Sequence, residues 1–213
     1  MEQLKEFDMS QVGQDKIILI IGRRGTGKST IVKDYFSHNG DKFSNCTCIN
    51  PSVEWEQNPL PNVPVHREYN SGIVKDFYDR QREYRKNGQD DRGLLVMDSC
   101  LHDINQNDDT TVKIFMNNRH MGITCILTAQ HPMGIKPELR QNIDYVFLLK
   151  ESMEINRRNL WQHYAGMFSD FKLFKEYFDK YTEDYGALVI DNTKSASSKL
   201  EDTVYHYKAE LKI

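Results

Sequence analysis

The chain has 213 residues, of which 28% are charged and 38% hydrophobic, and it carries a net charge of -3. That length supports one domain with a proper core or at most two small ones, and the acidic balance excludes binding to nucleic acid through bulk basicity. The longest apolar runs, "IILII" and "LLVM", are far too short to span a bilayer.

Taken in chain order, "MEQLKEFDMS" opens without a secretory h-region. Strand-like runs follow at "KIILII" (16–21), "CTCIN" (46–50), "GLLVMD" (93–98), "ITCILTA" (123–129), "DYVFLL" (144–149) and "ALVID" (187–191). Helix-like segments lie between them at 28–37, 72–86, 108–118 and 153–180, the last reading as two helices broken at "YAGMFSD". This alternation predicts an α/β domain over residues 1–194, with a mainly parallel central sheet flanked by helices on both faces. "NPLPNVP" (58–64) reads as a proline-punctuated loop, and the polar tail, 195–213, is expected to stay outside the sheet. Cys46, Cys48, Cys100 and Cys125 form no CxxC pair and read as buried free thiols in a reducing compartment.

The stretch that carries chemistry comes early. Gly22-Arg23-Arg24-Gly25-Thr26-Gly27-Lys28-Ser29, followed by Thr30, fits GxxxxGK[ST], with an apolar strand leading in and a helix leading out. Glycines let the backbone turn its N–H groups inward around phosphate oxygens, and the helix N-terminus adds its dipole. Lys28 is expected to reach the β- and γ-phosphates of ATP and the Ser29 hydroxyl to ligate Mg²⁺. Asp98, ending "GLLVMD", is the expected acidic anchor of the Mg²⁺ shell, and Gln130, ending "ITCILTAQ", the expected sensor of the γ-phosphate. An intervening strand and a polar residue after the next strand resemble the RecA-like ATPases, whereas kinases and GTPases usually place the two P-loop strands side by side. "NTKSAS" (192–197) lacks the Asp that a guanine-reading motif needs.

"IIGRRGTGKST", "LLVMDSC", "NNRHMGITCILTAQ" and "LRQNIDYVFLL", in this order, resemble the poxvirus-type genome-packaging ATPases of large DNA viruses, within the FtsK/HerA group of P-loop motors. "YAGMF" and "YGALVID" extend the resemblance, which runs from about residue 15 to 191. It implies Lys28, Asp98 and Gln130 as catalytic residues, with Ser29 and Asp98 holding the metal. It also implies Arg119 as an arginine finger acting on a neighbouring subunit, with Arg140 as a second candidate. A homo-oligomeric ring, hexamer or pentamer, acting on double-stranded DNA at a capsid vertex is implied too. The setting implied is the virus factory of the host cytoplasm or the virion.

One position departs from that family. A second acidic residue normally follows the Walker B aspartate, and here the position is Ser99, whose hydroxyl cannot accept a proton as a carboxylate does. Asp103 or Glu54 could stand in, or the chain hydrolyses ATP poorly. "DRQREYRKNGQDDR" (79–92) offers Arg80, Arg82, Arg85, Lys86 and Arg92 to a DNA channel, although its acidic residues suit a solvated helix face as well. "NRR" (156–158) is a further DNA-contact candidate. The competing readings are a P-loop small-molecule kinase and a non-hydrolysing nucleotide switch.

Overall fold

Unbroken runs of branched aliphatic residues cannot hide one face of a half-exposed strand, so they belong in a sheet covered on both sides. In the computed structural model, which describes residues 3–51, 63–89, 92–194, 197 and 199–210, they do. The strands are β1 (Ile17–Ile21), β2 (Asn45–Ile49), β3 (Val65–His66), β4 (Gly93–Met97), β5 (Ile123–Ala129), β6 (Tyr145–Leu148), β7 (Ala187–Asp191) and β8 (Val204–Tyr207). They form one sheet in the order β3-β2-β4-β5-β1-β6-β7-β8. Every pairing from β3 to β6 is parallel, and β7 and β8 are added antiparallel.

The helices are α1 (Lys28–Asn39), α2 (Ser71–Lys86), α3 (Asp109–Met121), α4 (Pro137–Arg140), α5 (Glu154–Tyr164), α6 (Phe171–Tyr181) and α7 (Leu200–Thr203). Alternation along β1 divides the core in two. Ile17, Leu19 and Ile21 face Phe77 of α2, Phe115 of α3, Leu160 of α5 and Phe174 and Phe178 of α6. Ile18 and Ile20 face Ile31, Val32 and Tyr35 of α1, with Phe7, Met9 and Val12 of the N-terminal segment. The expected parallel sheet with helices on both faces is therefore present, and the helix pair over 153–180 breaks where expected.

Two strands were not foreseen. β3 is only two residues long, too short for any periodicity. β8 corrects the expectation that the tail stays outside the sheet: Val204 and Tyr207 are buried, and residues 204–207 pair with β7. Its mixed Val-Tyr-His-Tyr composition hides the signal, because the apolar ring faces of Tyr205 and Tyr207 take the place of aliphatic side chains. Phe7 packs edge-on against Tyr145, Phe147, Tyr205 and Tyr207. The segment around it bonds along the outer edge of β8, with Phe7 N donating to His206 O (2.8 Å) and His206 N to Lys5 O (3.0 Å).

Candidate nucleotide-binding site

In a parallel sheet the loops after the strands gather at one end, and here they bring distant residues together. β1 ends at Ile21 and the chain turns at Gly22, where a Cβ would lie 2.5 Å from Thr26 Oγ1 and 2.7 Å from Leu149 Cβ, so only glycine fits. Gly25 and Gly27 take φ values of 79° and 101°, in the region glycine visits freely. Gly27 precedes the first turn of α1 with no side-chain cap, which leaves that turn's N–H groups directed at an incoming anion. Thr26 Oγ1 donates to Arg23 O (2.8 Å), closing the loop on itself, and Arg23 Nη1 reaches Ser152 Oγ (2.6 Å).

Lys28 is buried and folds its amine into the loop, donating to Gly22 O (2.7 Å) and Arg23 O (2.9 Å). Burial lowers its pKa, and the negative charge of Asp98 opposes that shift. Carbonyl oxygens are the partners available to the ammonium without a phosphate, so the side chain already points where phosphate oxygens would arrive.

Asp98, just past β4, is fully buried. Its Oδ2 accepts from Ser29 Oγ (2.8 Å) and Asn50 Nδ2 (2.9 Å), and its Oδ1 from Thr128 Oγ1 (2.6 Å) and, more loosely, Ser99 Oγ (3.3 Å). This network ties the ends of β2, β4 and β5 to the start of α1. A hydroxyl and a carboxylate oxygen side by side suit Mg²⁺, which typically keeps several waters and takes one or two carboxylates plus substrate phosphates. Among the described residues no group of three His, Cys, Asp or Glu is placed to cage a metal, which is compatible with a cation completed by phosphate and water. Sequence reasoning passed over Asn50 and Thr128. No local pattern marks them: Asn50 lies just past β2, which already carries Asn45 and Thr47, and Thr128 is one of two threonines in β5.

A cleft of about 500 Å³ opens over the loop, lined by Arg24, Gly25, Gly27, Lys28, Ser29, Thr30, Pro51, Ser99, His102, Gln130 and Tyr185. The structure thus brings the P-loop residues and Gln130 together, with Asp98 beneath them. Ser99 takes a φ of 62°, and its N–H donates to Thr128 Oγ1 (2.9 Å). Asp103 is not among the residues lining this cleft, and its carboxylate instead meets His102 Nε2 at 3.2 Å. Glu54 lies outside the described residues.

The two arginines lie elsewhere. Arg119, in the last turn of α3, precedes the start of β5, whereas the P-loop follows the end of β1. Seven residues of extended strand put about 20 Å between those ends, so Arg119 is out of reach of its own chain's phosphates. Its guanidinium, two-thirds exposed, pairs with Asp144 Oδ1 at 2.8 Å, while Asp144 Oδ2 accepts from Ile17 N at the head of β1 (2.8 Å). Arg140 is turned inward, its guanidinium 5.8 Å from the centre of the Tyr164 ring and its Nη1 buried without a hydrogen-bond partner among the described residues.

The cationic segments are largely engaged. Arg80 donates to Asn45 Oδ1 and Thr47 Oγ1, and Arg92 pairs with Asp15 at 3.0 Å. Arg82 and Lys86 are exposed on α2; Asp90 and Asp91 lie outside the described residues. Of "NRR", Arg157 pairs with Asp179 and Arg158 with Glu154, the Arg158 guanidinium lying 4.2 Å from the centre of the Phe171 ring.

Known proteins agree with this picture. No family model matches the chain. Protein L437 of Acanthamoeba polyphaga mimivirus is 35% identical over 97% of this chain and 77% of its own length. Protein 075L of Invertebrate iridescent virus 6 is 31% identical over 96% of this chain and 81% of its own. Among solved structures, the genome packaging NTPase B204 of Sulfolobus turreted icosahedral virus 2, in complex with ATP-gammaS, superposes with a TM-score of 0.67 at 17% identity, covering 94% of this chain and 100% of that one. The conjugation coupling protein TcpA of pCW3 gives 0.57 at 15% identity, covering 95% of this chain and 61% of that one. Fold, phosphate loop and viral relatives converge: the chain belongs to the same family as L437 and 075L, proteins of large DNA viruses, and is built on the P-loop NTPase fold.

Proposed function

We propose that the chain is an ATP-driven motor that moves double-stranded DNA into the capsid of a large DNA virus, working as a ring in the host's virus factory or on the virion. The observation that carries the reading is Asp98, buried and bonded to the Ser29 hydroxyl across the phosphate loop. Together these two would hold Mg²⁺ against the β- and γ-phosphates of ATP, with Lys28 neutralising charge and Gln130 at the lip of the cleft orienting water. β5 lies between β1 and β4 in the sheet, which favours the RecA-like class over a small-molecule kinase. The separating strand is the one that ends in Gln130, while β2, the "CTCIN" strand, lies outside β4. Arg119, out of reach of its own site and held by Asp144, is suited to serve the site of an adjacent copy. B204 is described as a DNA-packaging ATPase, and that role is what the reading extends to this chain.

A second reading has its own support. Ser99 follows Asp98 with its N–H fixed on Thr128, and among the described residues no carboxylate lines the cleft; this favours a nucleotide switch with little turnover. Steady-state ATP hydrolysis with Mg²⁺, with and without linear double-stranded DNA and with Lys28→Ala as the blank, separates the two. The motor gives turnover that rises with DNA. Bound ATP with turnover no higher than the blank under both conditions would falsify the motor and leave the switch.

A further inference from the structure

The loop over 182–186, between α6 and β7, comes to rest beside the phosphate loop in a strained conformation. Asp184 and Tyr185 take left-handed φ values of 48° and 61°, which non-glycine residues adopt at a cost and keep only where their surroundings impose it. The surroundings do so here. Thr182 Oγ1 donates to Phe178 O (2.7 Å) and Gly186 N to Glu183 O (2.8 Å). Lys150 pairs with Glu183, and Lys208 with Asp184. The outcome is a Tyr185 side chain held away from the core: the residue is 67% exposed, the highest value for a large hydrophobic side chain among the described residues.

That ring lines the phosphate cleft and also an adjoining cavity of about 270 Å³ bordered by Gly27, Thr30 and Ile31. A Cβ on Gly27 would lie 3.8 Å from Tyr185 Cδ1, so ring and loop are in close approach. The sheet order sets the direction of a nucleotide in the cleft. Asp98 and Gln130 end β4 and β5 on one side of β1, and β7 lies on the other side. With the metal-bearing phosphates drawn toward Asp98, the nucleoside is left to extend toward Tyr185.

We infer that Tyr185 is the stacking platform for the base of the nucleoside triphosphate, and that it favours purines through ring area rather than through a hydrogen-bond pattern. This rests on the nucleotide reading of the phosphate loop. Aromatic faces accept any base, because every base offers a π-face. Beside the ring, the cavity presents the Thr30 hydroxyl and aliphatic surface, and the Lys208 amine is already paired with Asp184. ATP and GTP are therefore held alike, and CTP more weakly.

The test is equilibrium binding of ATP, GTP, CTP and inorganic tripolyphosphate, all with Mg²⁺, to the full chain and to its Tyr185→Ala, Tyr185→Phe and Lys28→Ala variants. Tyr185→Ala is expected to weaken ATP and GTP on the order of ten- to a hundred-fold, to leave tripolyphosphate unchanged, and to be rescued by Tyr185→Phe. Equal losses for ATP and tripolyphosphate would mean that the side chain only shapes the loop, and no loss for either would mean that it touches no base; both overturn the inference. Wild-type ATP binding that survives Lys28→Ala undiminished would sink the nucleotide site itself, and the stacking role with it.

Discussion

Thr128 is the residue on which the acidic anchor turns. Its hydroxyl donates to Asp98 Oδ1 at 2.6 Å and accepts from Ser99 N at 2.9 Å, and both Thr128 and Asp98 are buried. Thr128→Val keeps the shape and removes both bonds, so a buried carboxylate oxygen and a backbone N–H lose partners. The expected loss is about 1–3 kcal/mol of stability, read as a lower urea midpoint, together with weaker Mg²⁺-dependent nucleotide binding. A midpoint equal to the parent's would mean that Ser29 and Asn50 hold Asp98 unaided. The Lys28 amine works at the same scale: it rests on two carbonyls in a pocket that disfavours its charge, so an arriving phosphate gains a cation that is already in place.

Among elements, the turn between α6 and β7 is tightly constrained. A Cβ on Gly186 would lie 2.4 Å from Tyr181 O and 3.0 Å from Glu183 O, both backbone atoms that cannot yield cheaply. Gly186→Ala is expected to cost about 1–3 kcal/mol, or roughly 2–12 °C of Tm for a chain of this size, measured by calorimetry. An unchanged Tm would show that the turn can relax. Most elements were legible in the sequence because their patterns are strong. The runs at 17–21 and 123–129 are wholly buried, and Gly27-Lys28-Ser29 marks its own helix start. What stayed hidden had weak local signals. β8 is half aromatic and lies beyond polar residues, and β3 exists only through its pairing with β2. Within the site, Lys28, Ser29, Asp98 and Gln130 were readable from motif position. Asn50, Thr128 and Tyr185 join it through sheet order and turn geometry, which no local pattern encodes.

At the scale of the whole molecule, Arg119 and the phosphate loop sit at opposite ends of the same sheet, so a finger can complete only a neighbour's site. In the proposed ring, mixing Arg119→Ala and Lys28→Ala chains puts the two defects on different sides of a shared boundary. ATP turnover by the mixture is therefore expected to exceed that of either variant alone. Turnover that never rises at any mixing ratio counts against a finger acting between copies.

Two thiols, half-buried Cys46 and buried Cys100, set a global alkaline limit. Burial raises Cys46 to about 11 and Cys100 to about 12 from 9.0, with nearby carboxylates adding to the second. Both stay protonated in the fold after they would ionise in the unfolded chain. Their contribution is whole below the unfolded value and is lost as pH rises through the folded ones. The urea midpoint is expected to fall between about pH 8 and about pH 11, and to fall less in Cys100→Ala; a flat profile in the parent would refute this.

The margins of the sheet carry a consequence for assembly. The outer side of β8 is already bonded to Lys5 and Phe7, and at the far side β3 offers only two residues. Copies of the chain therefore have little open backbone through which to prolong one another's sheet, and the runaway fibre growth that bare strands invite is blocked at the β8 margin. Among the described residues, an interface between copies falls chiefly to side chains, which leaves it answerable to ionic strength and to single substitutions, and so able to come apart again.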